Sequence, residues 1–283
     1  MSARGRRVAR SRVRLPTLRR SRWSTVVREG WNRTSYLYRP RRSDTDIFGH
    51  RWEEYRTWLR PLVRNLPRGS TVLDLGCGTG VPAARSLAHR FHVTGVDISD
   101  VQVRRARRLV PEARFLRADL ADVDFPAGSF AAVIALYSLI HVPRERHRSM
   151  FHKVARWLVP GEWFLSIVGA SRYEGRATGW LGSDAPMRWS HHDAGTYRRW
   201  LREEGYRIVR EGFIPEGDGG HQLFLARTGR RGRAGFSGRA PFSGSGRRER
   251  VPPRPNRARR PREARGRPPS RSASGDTPRK SAR

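Results

Sequence analysis

The stretch TVLDLGCGTG, residues 71 to 80, constrains the fold of this chain more than any other. An apolar run at residues 71 to 73 leads through Asp74 into a segment where three glycines alternate with Cys77 and Thr79. Glycine lets the backbone turn sharply or lets a ligand approach it closely. A helix that begins just after such a loop offers free N–H groups and the positive end of its dipole. The stretch therefore predicts a strand, a ligand-binding loop and a helix that together hold a nucleotide-like ligand.

The charge distribution divides the chain into three parts. Of a formal net charge of +34 over 283 residues, residues 1 to 30 contribute ten arginines and one acid, and residues 228 to 283 contribute eighteen basic residues and three acids. Both ends have few bulky apolar side chains to offset the entropy lost on ordering. We expect a basic, disordered arm at residues 1 to 30, one domain at residues 31 to 227, and a disordered Arg/Pro/Gly/Ser-rich tail at residues 228 to 283.

Arginine makes up 57 of the 59 basic residues. A GC-rich coding sequence produces this bias as readily as selection for phosphate binding does. Two interpretations of the tails stay open: they reflect composition, a misassigned start or read-through, or they contact nucleic acid nonspecifically. Residues 1 to 28 also have the Arg- and Ser-rich character of a mitochondrial transit peptide, which is a minor alternative.

Apolar runs alternate with helical patterns from about residue 50 onward. Five strands are predicted at residues 71–75, 91–97, 113–119, 130–138 and 162–170, with helices between them and two further strands near residues 206–227. Regular alternation of this kind predicts an α/β fold, a doubly wound and mostly parallel sheet with helices on both faces. The segment at residues 171 to 192 is predicted to be a loop, and its length is typical of a lid or binding loop.

The glycine spacing separates three classes of nucleotide site. The dinucleotide pattern G-x-G-x-x-G fits at Gly76 and Gly78 but has Val81 in its third position. A phosphate-binding P-loop is excluded because no Gly-Lys-Ser/Thr follows. An acid, a variable residue and G-x-G-x-G, as in Asp74 to Gly80, resemble the first motif of the class I S-adenosylmethionine-dependent methyltransferases.

The resemblance extends over residues 31 to 227, because Asp97 and Asp119 also close the second and third predicted strands. It implies a Rossmann-like, seven-stranded sheet whose last strand, at residues 221 to 226, is antiparallel. It also implies that Asp97 accepts hydrogen bonds from the ribose hydroxyls, that Asp119 and Leu120 contact adenine, and that Asp74 faces the methionine ammonium. The implied S-adenosylmethionine-binding residues are Asp74, Gly76, Cys77, Gly78, Gly80, Asp97, Ile98, Asp119, Leu120 and Tyr137.

The acceptor side is predicted from residues that follow the later strands. His141 comes just after the fourth strand, where the chain in this family runs past the methyl group that is transferred. It is the best candidate for a general base, although the sequence favours a structural histidine slightly more. The predicted substrate pocket consists of Tyr36, Trp180, Trp189, His191 and His221. Tyr36 and Tyr38 belong to the segment where the family places a lid over the cofactor.

Several absent motifs narrow the acceptor. No N-P-P-Tyr motif follows the fourth strand, so the base-flipping amino methyltransferases are disfavoured. Cys77, the single cysteine, lies inside the glycine loop and is not placed as a catalytic thiol. No acid follows the fourth strand to begin a magnesium cluster, so we predict no metal. The expected activity is methylation of an O or N atom of a small molecule.

Two alternatives to a small-molecule methyltransferase remain. One is an RNA or ribonucleoprotein methyltransferase anchored by the basic tails. The other is a binding module that has kept the fold and lost catalysis. No run approaches the roughly 18 apolar residues of a membrane span, and the N-terminus has no apolar signal region. We therefore expect a cytoplasmic enzyme without a membrane anchor; the sequence does not indicate its oligomeric state.

Overall fold

Strands and helices alternate along the chain as the apolar periodicity predicts. The computed structural model describes residues 21–40 and 52–229. The helices in these ranges are α1 (Arg22–Tyr38), α2 (Trp52–Asn65), α3 (Ala83–Ala88), α4 (Asp100–Leu109), α5 (His147–Trp157) and α6 (Ala194–Glu203). The strands are β1 (Thr71–Leu75), β2 (His92–Asp97), β3 (Arg114–Arg117), β4 (Phe130–Leu136), β5 (Leu158–Gly169), β6 (Tyr173–Ala177), β7 (Met187–His191), β8 (Tyr206–Glu216) and β9 (Gly219–Thr228).

The main sheet has seven strands in the order β3-β2-β1-β4-β5-β9-β8. The pairs from β3 through β5 are all parallel, and β9 runs antiparallel to both of its neighbours. The predicted fold class, a mostly parallel sheet whose last strand is antiparallel, is therefore confirmed.

Helices cover both faces of this sheet. On one face, α2, α3 and α4 pack their apolar side chains against alternate residues of the central strands. On the other face, α5 and α6 do the same, with Phe151, Trp157 and Tyr197 fully buried. A parallel strand covered on both sides is apolar nearly throughout. This is why β4 has the sequence FAAVIAL.

The chain reverses its direction of travel across the sheet between β1 and β4, and ligands bind at such a switch point in open α/β sheets. Gly76, directly after β1, lies against Ser138 at this point. A Cβ atom at Gly76 would lie 2.1 Å from the Ser138 Cβ, and the residue has a φ of +73°. The Ser138 hydroxyl donates to the Leu75 carbonyl at 2.5 Å. The crevice at the strand ends therefore depends on a glycine at position 76.

The folded domain begins earlier than residue 31, so the prediction of a disordered arm is wrong for residues 22 to 30. These residues form the first part of α1, which begins where the Ser21 hydroxyl accepts from the Ser24 N–H at 3.0 Å. Trp23, Val27 and Trp31 recur at helical intervals and give α1 one apolar face. Residues 1 to 20 and the tail from residue 230 lie outside the described residues, and the predictions for them stay predictions.

The segment at residues 171 to 192 is not the irregular loop that its composition predicts. β6 and β7 pair antiparallel within it, with Tyr173 opposite His191 and Ala177 opposite Met187. α1 crosses this hairpin closely at Gly30, where a Cβ atom would lie 2.7 Å from the Met187 Cε. The hairpin therefore supports α1 above the carboxyl ends of the strands.

None of the helices in the described ranges has the length and apolar character needed to cross a membrane.

Gly76→Ala is expected to destabilise the fold far more than Gly128→Ala. Both glycines have positive φ values, +73° and +66°, but only at Gly76 would an added Cβ atom have a neighbour within 4 Å. Left-handed backbone costs a non-glycine residue about 1 to 2 kcal/mol, and the steric clash adds about 1 to 3 kcal/mol at Gly76 alone. Urea denaturation of both variants measures the difference. Equal losses would show that Ser138 moves aside at no cost.

Candidate active site

A pocket lies at the carboxyl ends of β1 to β4, and α1 forms part of its wall. Its open space is about 1000 Å³, part of which is continuous with solvent. The strand ends contribute Asp74, Gly76, Cys77, Gly78, Thr79, Asp97, Ile98, Asp119, Leu120, Leu136, Tyr137 and Ser138. Every predicted cofactor residue except Gly80 lines this pocket.

The glycines of the loop have different tasks. At Gly78, which has a φ of +55°, the nearest atom to an added Cβ would be the Gln102 Nε2 at 4.0 Å, so bare backbone faces the pocket. At Gly80 a Cβ atom would lie 3.0 Å from Phe115 and 3.1 Å from Val110. Gly80 is therefore needed for packing of the loop against the β2–β3 side of the domain, and Gly78 is the position where a ligand can approach the backbone.

Asp97 holds the glycine loop in place. Its carboxylate accepts from the Gly78 N–H at 3.0 Å and from the Ser99 N–H at 2.8 Å. Burial raises the pKa of Asp97 to about 6, and the backbone N–H bonds oppose that rise. Each carboxylate oxygen keeps a second lone pair, so Asp97 can also accept from ligand hydroxyls.

Asp74 is a buried acid without a hydrogen-bond partner at one of its oxygens. Its side chain is 3% exposed, and Oδ2 bonds to none of the described residues. Burial, followed by the charge of Asp97, raises the pKa of Asp74 to about 7. A buried carboxylate that lacks a partner costs free energy, and a cationic group beside it removes that cost. This atom fits a bound ammonium group.

Asp119 has both oxygens engaged. The Ala121 N–H donates to Oδ1 at 2.9 Å, and the Ser24 hydroxyl of α1 makes a short hydrogen bond to Oδ2. Leu120 lies beside it in the pocket wall. Ser24 was not predicted as a site residue, yet it connects α1 directly to one of the predicted cofactor acids.

Cys77 lies in the loop and lines the pocket. Burial, with smaller contributions from the charges of Asp74 and Asp97, raises the pKa of its thiol well above the usual value. A neutral thiol is a poor nucleophile. The structure therefore agrees with the expectation that Cys77 is not a catalytic thiol.

Tyr137 has an unusual backbone for its residue type. It follows β4 with a φ of +57°, in the left-handed region that non-glycine residues rarely adopt. Its ring lies 4.9 Å from the His221 ring and 6.1 Å from the Trp58 ring, measured between centroids. Strained backbone of this kind clusters at functional sites, and here it directs the chain from β4 into the turn that carries His141.

His141 lies in the short 3-10 turn Leu139–His141 and lines the pocket. Its Nδ1 is 2.9 Å from the Arg188 carbonyl, and because a carbonyl only accepts, the proton is on Nδ1. Nε2 is then left with a free lone pair and bonds to no described residue. Burial lowers the pKa of His141 to about 4, so the ring is neutral at pH 7.

A second, fully buried histidine holds this turn from behind. His147 donates from Nε2 to the Val142 carbonyl at 2.9 Å, and its Nδ1 accepts from the Tyr197 hydroxyl at 2.8 Å. The Tyr197 oxygen in turn accepts from the His192 N–H at 3.0 Å. This series of hydrogen bonds joins α5, α6 and the end of the hairpin to the residue that follows His141.

The predicted pocket residues Trp180 and Trp189 lie one layer behind the pocket wall. The Trp180 ring packs against Trp31 at 5.3 Å, and the Trp189 ring lies 5.8 Å from His141. Trp31 and His141 themselves line the pocket. The two predicted tryptophans therefore support the wall without forming its surface.

Tyr36 lies outside the pocket lining, and its role as a substrate residue stays a prediction. Its ring lies 4.1 Å from the guanidinium of Arg105, on the side of α1 that faces α4, and it is 44% exposed. Tyr38 lines the pocket instead. Two residues on a helix are about 200° apart, which places Tyr36 and Tyr38 on opposite faces.

His191 and His221 also lie outside the pocket lining. His191 donates from Nδ1 to the Ser171 carbonyl at 2.6 Å and packs over Gly169, which fastens the hairpin to the end of β5. The Nδ1 of His221 is 3.1 Å from the Glu216 Oε2, and its ring lies against Tyr137. Both histidines are placed to support neighbouring elements.

Sequence reasoning missed the residues that α1 and the neighbouring elements contribute to the pocket. These are Trp23, Ser24, Val27, Trp31, Arg39, Tyr55, Gln102, Val142 and Pro143. The signal for α1 was present, because Trp23, Val27, Trp31 and Tyr38 recur at helical spacing after the N-cap residue Ser21. We predicted disorder instead because residues 1 to 30 are rich in arginine.

No three His, Cys, Asp or Glu side chains in the described part of the chain form a group that could hold a metal ion. The predicted absence of a metal stays a prediction.

A model of the methyltransferase domain matches residues 72–161, the segment from β1 into β5. Among curated proteins, the chain is 40% identical over 103 residues to 27-O-demethylrifamycin SV methyltransferase of Amycolatopsis mediterranei, covering 34% of this chain and 37% of that protein. It is 35% identical over 101 residues to an O-methyltransferase of Aspergillus nomiae, covering 33% of this chain and 44% of that protein. The chain therefore spans less than half the length of these curated relatives.

Among solved structures, magnesium protoporphyrin IX methyltransferase of Synechocystis, with S-adenosylhomocysteine (SAH) bound, has a similar fold. The TM-score is 0.55 at 24% identity, and the match covers 73% of this chain and 99% of that one. Fold, glycine loop and strand-end acids thus define a Rossmann-like methyltransferase domain. Residues 72–161 match the methyltransferase domain, and the fold is similar to that of a solved methyltransferase.

Asp74→Asn is expected to stabilise the protein at pH 8 when no ligand is bound. The pKa of Asp74 is raised from 3.8 to about 7, so its contribution to stability is present below pH 3.8 and is lost as the pH rises through 7. Asparagine carries no charge, so the variant avoids that loss. The free energy of unfolding that is retained amounts to roughly 1.4 kcal/mol for each unit by which the pKa is raised. Urea denaturation at pH 4, 6 and 8 should show a difference from wild type that grows with pH.

Asp218→Asn, in the exposed turn between β8 and β9, is the matched control for that series. A difference between Asp74→Asn and wild type that stays constant from pH 4 to 8 would contradict the assigned burial of Asp74.

Proposed function

We propose that the protein transfers a methyl group from S-adenosylmethionine to an O or N atom of a small-molecule acceptor. The observation that carries this proposal is the buried Asp74 carboxylate, whose Oδ2 bonds to no described residue and which lies in the same pocket as the open Gly78 backbone. A fold alone does not define a reaction. These two features, however, suit a ligand that has a cationic amino acid portion.

The cofactor would be held by residues from four strand ends. Asp97 would accept from the ribose hydroxyls, Asp119 and Leu120 would contact adenine, and Asp74 would face the ammonium group. The backbone at Gly76 and Gly78 would lie along the methionine portion, beside Cys77, Ile98 and Tyr137. When bound, S-adenosylmethionine supplies an electrophilic methyl group on a sulfonium sulfur.

The chain itself then has two tasks, which are to align the acceptor and to remove its proton where the acceptor has one to lose. His141 is neutral at pH 7, its Nδ1 proton is held by the Arg188 carbonyl, and its Nε2 can accept. The indole of Trp23 donates to the His141 carbonyl at 2.8 Å and so fixes α1 against this turn. α1 and the turn together restrict the access of water to the pocket.

Two observations favour a small-molecule acceptor over RNA. The wall opposite the glycine loop is made of Trp23, Val27, Trp31 and Tyr38, an apolar surface suited to a compact ligand. In addition, the names of the curated relatives describe methylation of small molecules such as a rifamycin. An RNA acceptor, the alternative, would depend on basic tails that lie outside the described residues.

Asp97→Ala is expected to weaken binding of S-adenosylhomocysteine by about a hundredfold, because it removes the ribose acceptor and the anchor of the Gly78 N–H together. Asp97→Asn keeps the size of the side chain and one carbonyl acceptor, so its affinity for S-adenosylhomocysteine should fall less. Isothermal titration calorimetry measures both, with Asp218→Asn as the control. Unchanged affinity in Asp97→Ala would refute the ribose assignment.

His141→Asn is expected to keep S-adenosylhomocysteine binding and to lose about a hundredfold or more in methyl transfer. The asparagine amide can replace the Nδ1–H bond to the Arg188 carbonyl, but it has no counterpart of Nε2. Wild type and variant are incubated with methyl-labelled cofactor and a cell extract, and label is measured in RNA, protein and small metabolites.

Label that appears in small metabolites with wild type and is lost with His141→Asn supports both the acceptor class and the base. Full transfer by His141→Asn would remove His141 as the base. Label found in RNA would support the alternative function.

A further inference from the structure

We propose that the acceptor is a flat aromatic compound with a hydroxyl on its ring, a phenol or fused-ring phenol, which binds against the aromatic wall formed by Trp23, Trp31 and Tyr38. The inference deepens the proposed methyl transfer and rests on it. It is carried by the geometry of this wall, by the charges around it, and by the position of His141 in it.

Trp31 is the centre of the aromatic wall. Its ring meets three others edge to face, with centroid distances of 5.1 Å to Tyr38, 5.3 Å to His141 and 5.3 Å to Trp180. The interplanar angles of these pairs lie between 80° and 87°. Edge-to-face packing is a favourable arrangement for aromatic rings and holds each ring in one orientation.

The hairpin fixes this arrangement from outside. Trp180 packs on Trp189 at 5.5 Å, and Trp189 lies behind His141 at 5.8 Å, so that rings from α1, the turn and the hairpin form one continuous cluster. Side chains that are already held in place lose little conformational entropy when a ligand binds. A rigid, flat ligand also loses little conformational entropy on binding. This wall therefore favours an aromatic ring over a flexible or puckered acceptor of equal size.

Arginines beside the aromatic wall disfavour a cationic acceptor there. The carboxylates among the described lining residues are Asp74, Asp97 and Asp119, all at strand ends. On the other side, Arg39 lines the pocket, and the Arg188 guanidinium lies 4.9 Å from the ring centroid of Trp23. A positively charged amine at the aromatic wall would meet these cations, so a neutral acceptor fits better.

His141 gives the described part of this wall a ring nitrogen that can accept a hydrogen bond from a hydroxyl group. Its ring packs on Trp31, its Nδ1–H is bound to the Arg188 carbonyl, and its Nε2 lone pair remains available. A hydroxyl on the edge of an aromatic ring that lies against Trp31 can give its proton to Nε2. The proton leaves as the oxygen forms its new bond, because the oxygen then becomes acidic enough to protonate a ring whose pKa is about 4. The O–H bond breaks, the oxygen keeps the electron pair, and Nε2 passes the proton to solvent.

The test compares two probes with the same carbon skeleton, the flat phenol 2-naphthol and the puckered saturated alcohol decahydro-2-naphthol, by isothermal titration calorimetry with the full-length chain. The saturated alcohol is the more hydrophobic of the two, so an ordinary apolar pocket binds it at least as well. The proposal requires 2-naphthol to bind about tenfold more tightly or better. Equal affinities, or tighter binding of decahydro-2-naphthol, would overturn it.

Variants locate the binding site. Trp31→Leu is expected to lower the affinity for 2-naphthol by about tenfold with little effect on decahydro-2-naphthol, and Trp31→Phe is expected to keep most of the affinity. Phe213→Leu, an exposed aromatic position on β8 that is 59% exposed, is the matched control and should change neither affinity. Because the two probes are compared in wild type first, the proposal stays testable if Trp31→Leu does not fold. An unchanged 2-naphthol affinity in folded Trp31→Leu would overturn it.

Binding of S-adenosylhomocysteine to the same preparations separates the two levels of proposal. If S-adenosylhomocysteine binds and the preference for 2-naphthol is absent, the acceptor class is wrong and the proposed methyl transfer stands. If S-adenosylhomocysteine does not bind, the proposed function fails, and the acceptor assignment fails with it whatever the naphthol result.

Discussion

The site depends on a single carboxylate that joins two elements. Asp97 accepts from the N–H of Gly78, in the loop after β1, and from the N–H of Ser99, the N-cap of α4. These bonds compensate part of the cost of burying the charge. They also fix the loop in the conformation that leaves the Gly78 backbone bare, and they place a negative charge near Asp74. The geometry of the loop and the electrostatics of the pocket therefore have the same origin.

The sheet and the cofactor half of the site could be predicted from the sequence because both follow from local periodicity. Each βα unit ends its strand at the same edge of the sheet, so acids that close β1 and β2, and Asp119 just past β3, must meet there. The spacing of the glycines in the loop also indicated which class of ligand to expect there. For these elements the local pattern and the tertiary structure agree, as expected of a sequence that specifies its fold at every level.

The acceptor half could not be predicted in the same way, because the order of α1 comes from distant contacts. The buried Arg105 of α4 donates to the Ser35 hydroxyl at 2.9 Å, and Gln102 accepts from the same hydroxyl at 2.8 Å. Neither partner is visible in the composition of residues 1 to 30. The hairpin was missed for a related reason: β6 and β7 are only five residues long, and α1 packs over them. Tyr36 was chosen over Tyr38 because the phase of an unrecognised helix could not be assigned.

Asp74 gives ligand binding a further property. Burial raises the pKa of Asp74 to about 7, so the protonated carboxyl is populated at neutral pH when the pocket holds no cation. A cationic group that binds beside it must displace that proton, so association is also an acid dissociation. The heat of binding then includes the ionisation heat of whatever buffer takes up the proton, and the apparent affinity falls as the solution becomes more acidic. The pocket thus couples its occupancy to the proton concentration around it without a histidine taking part.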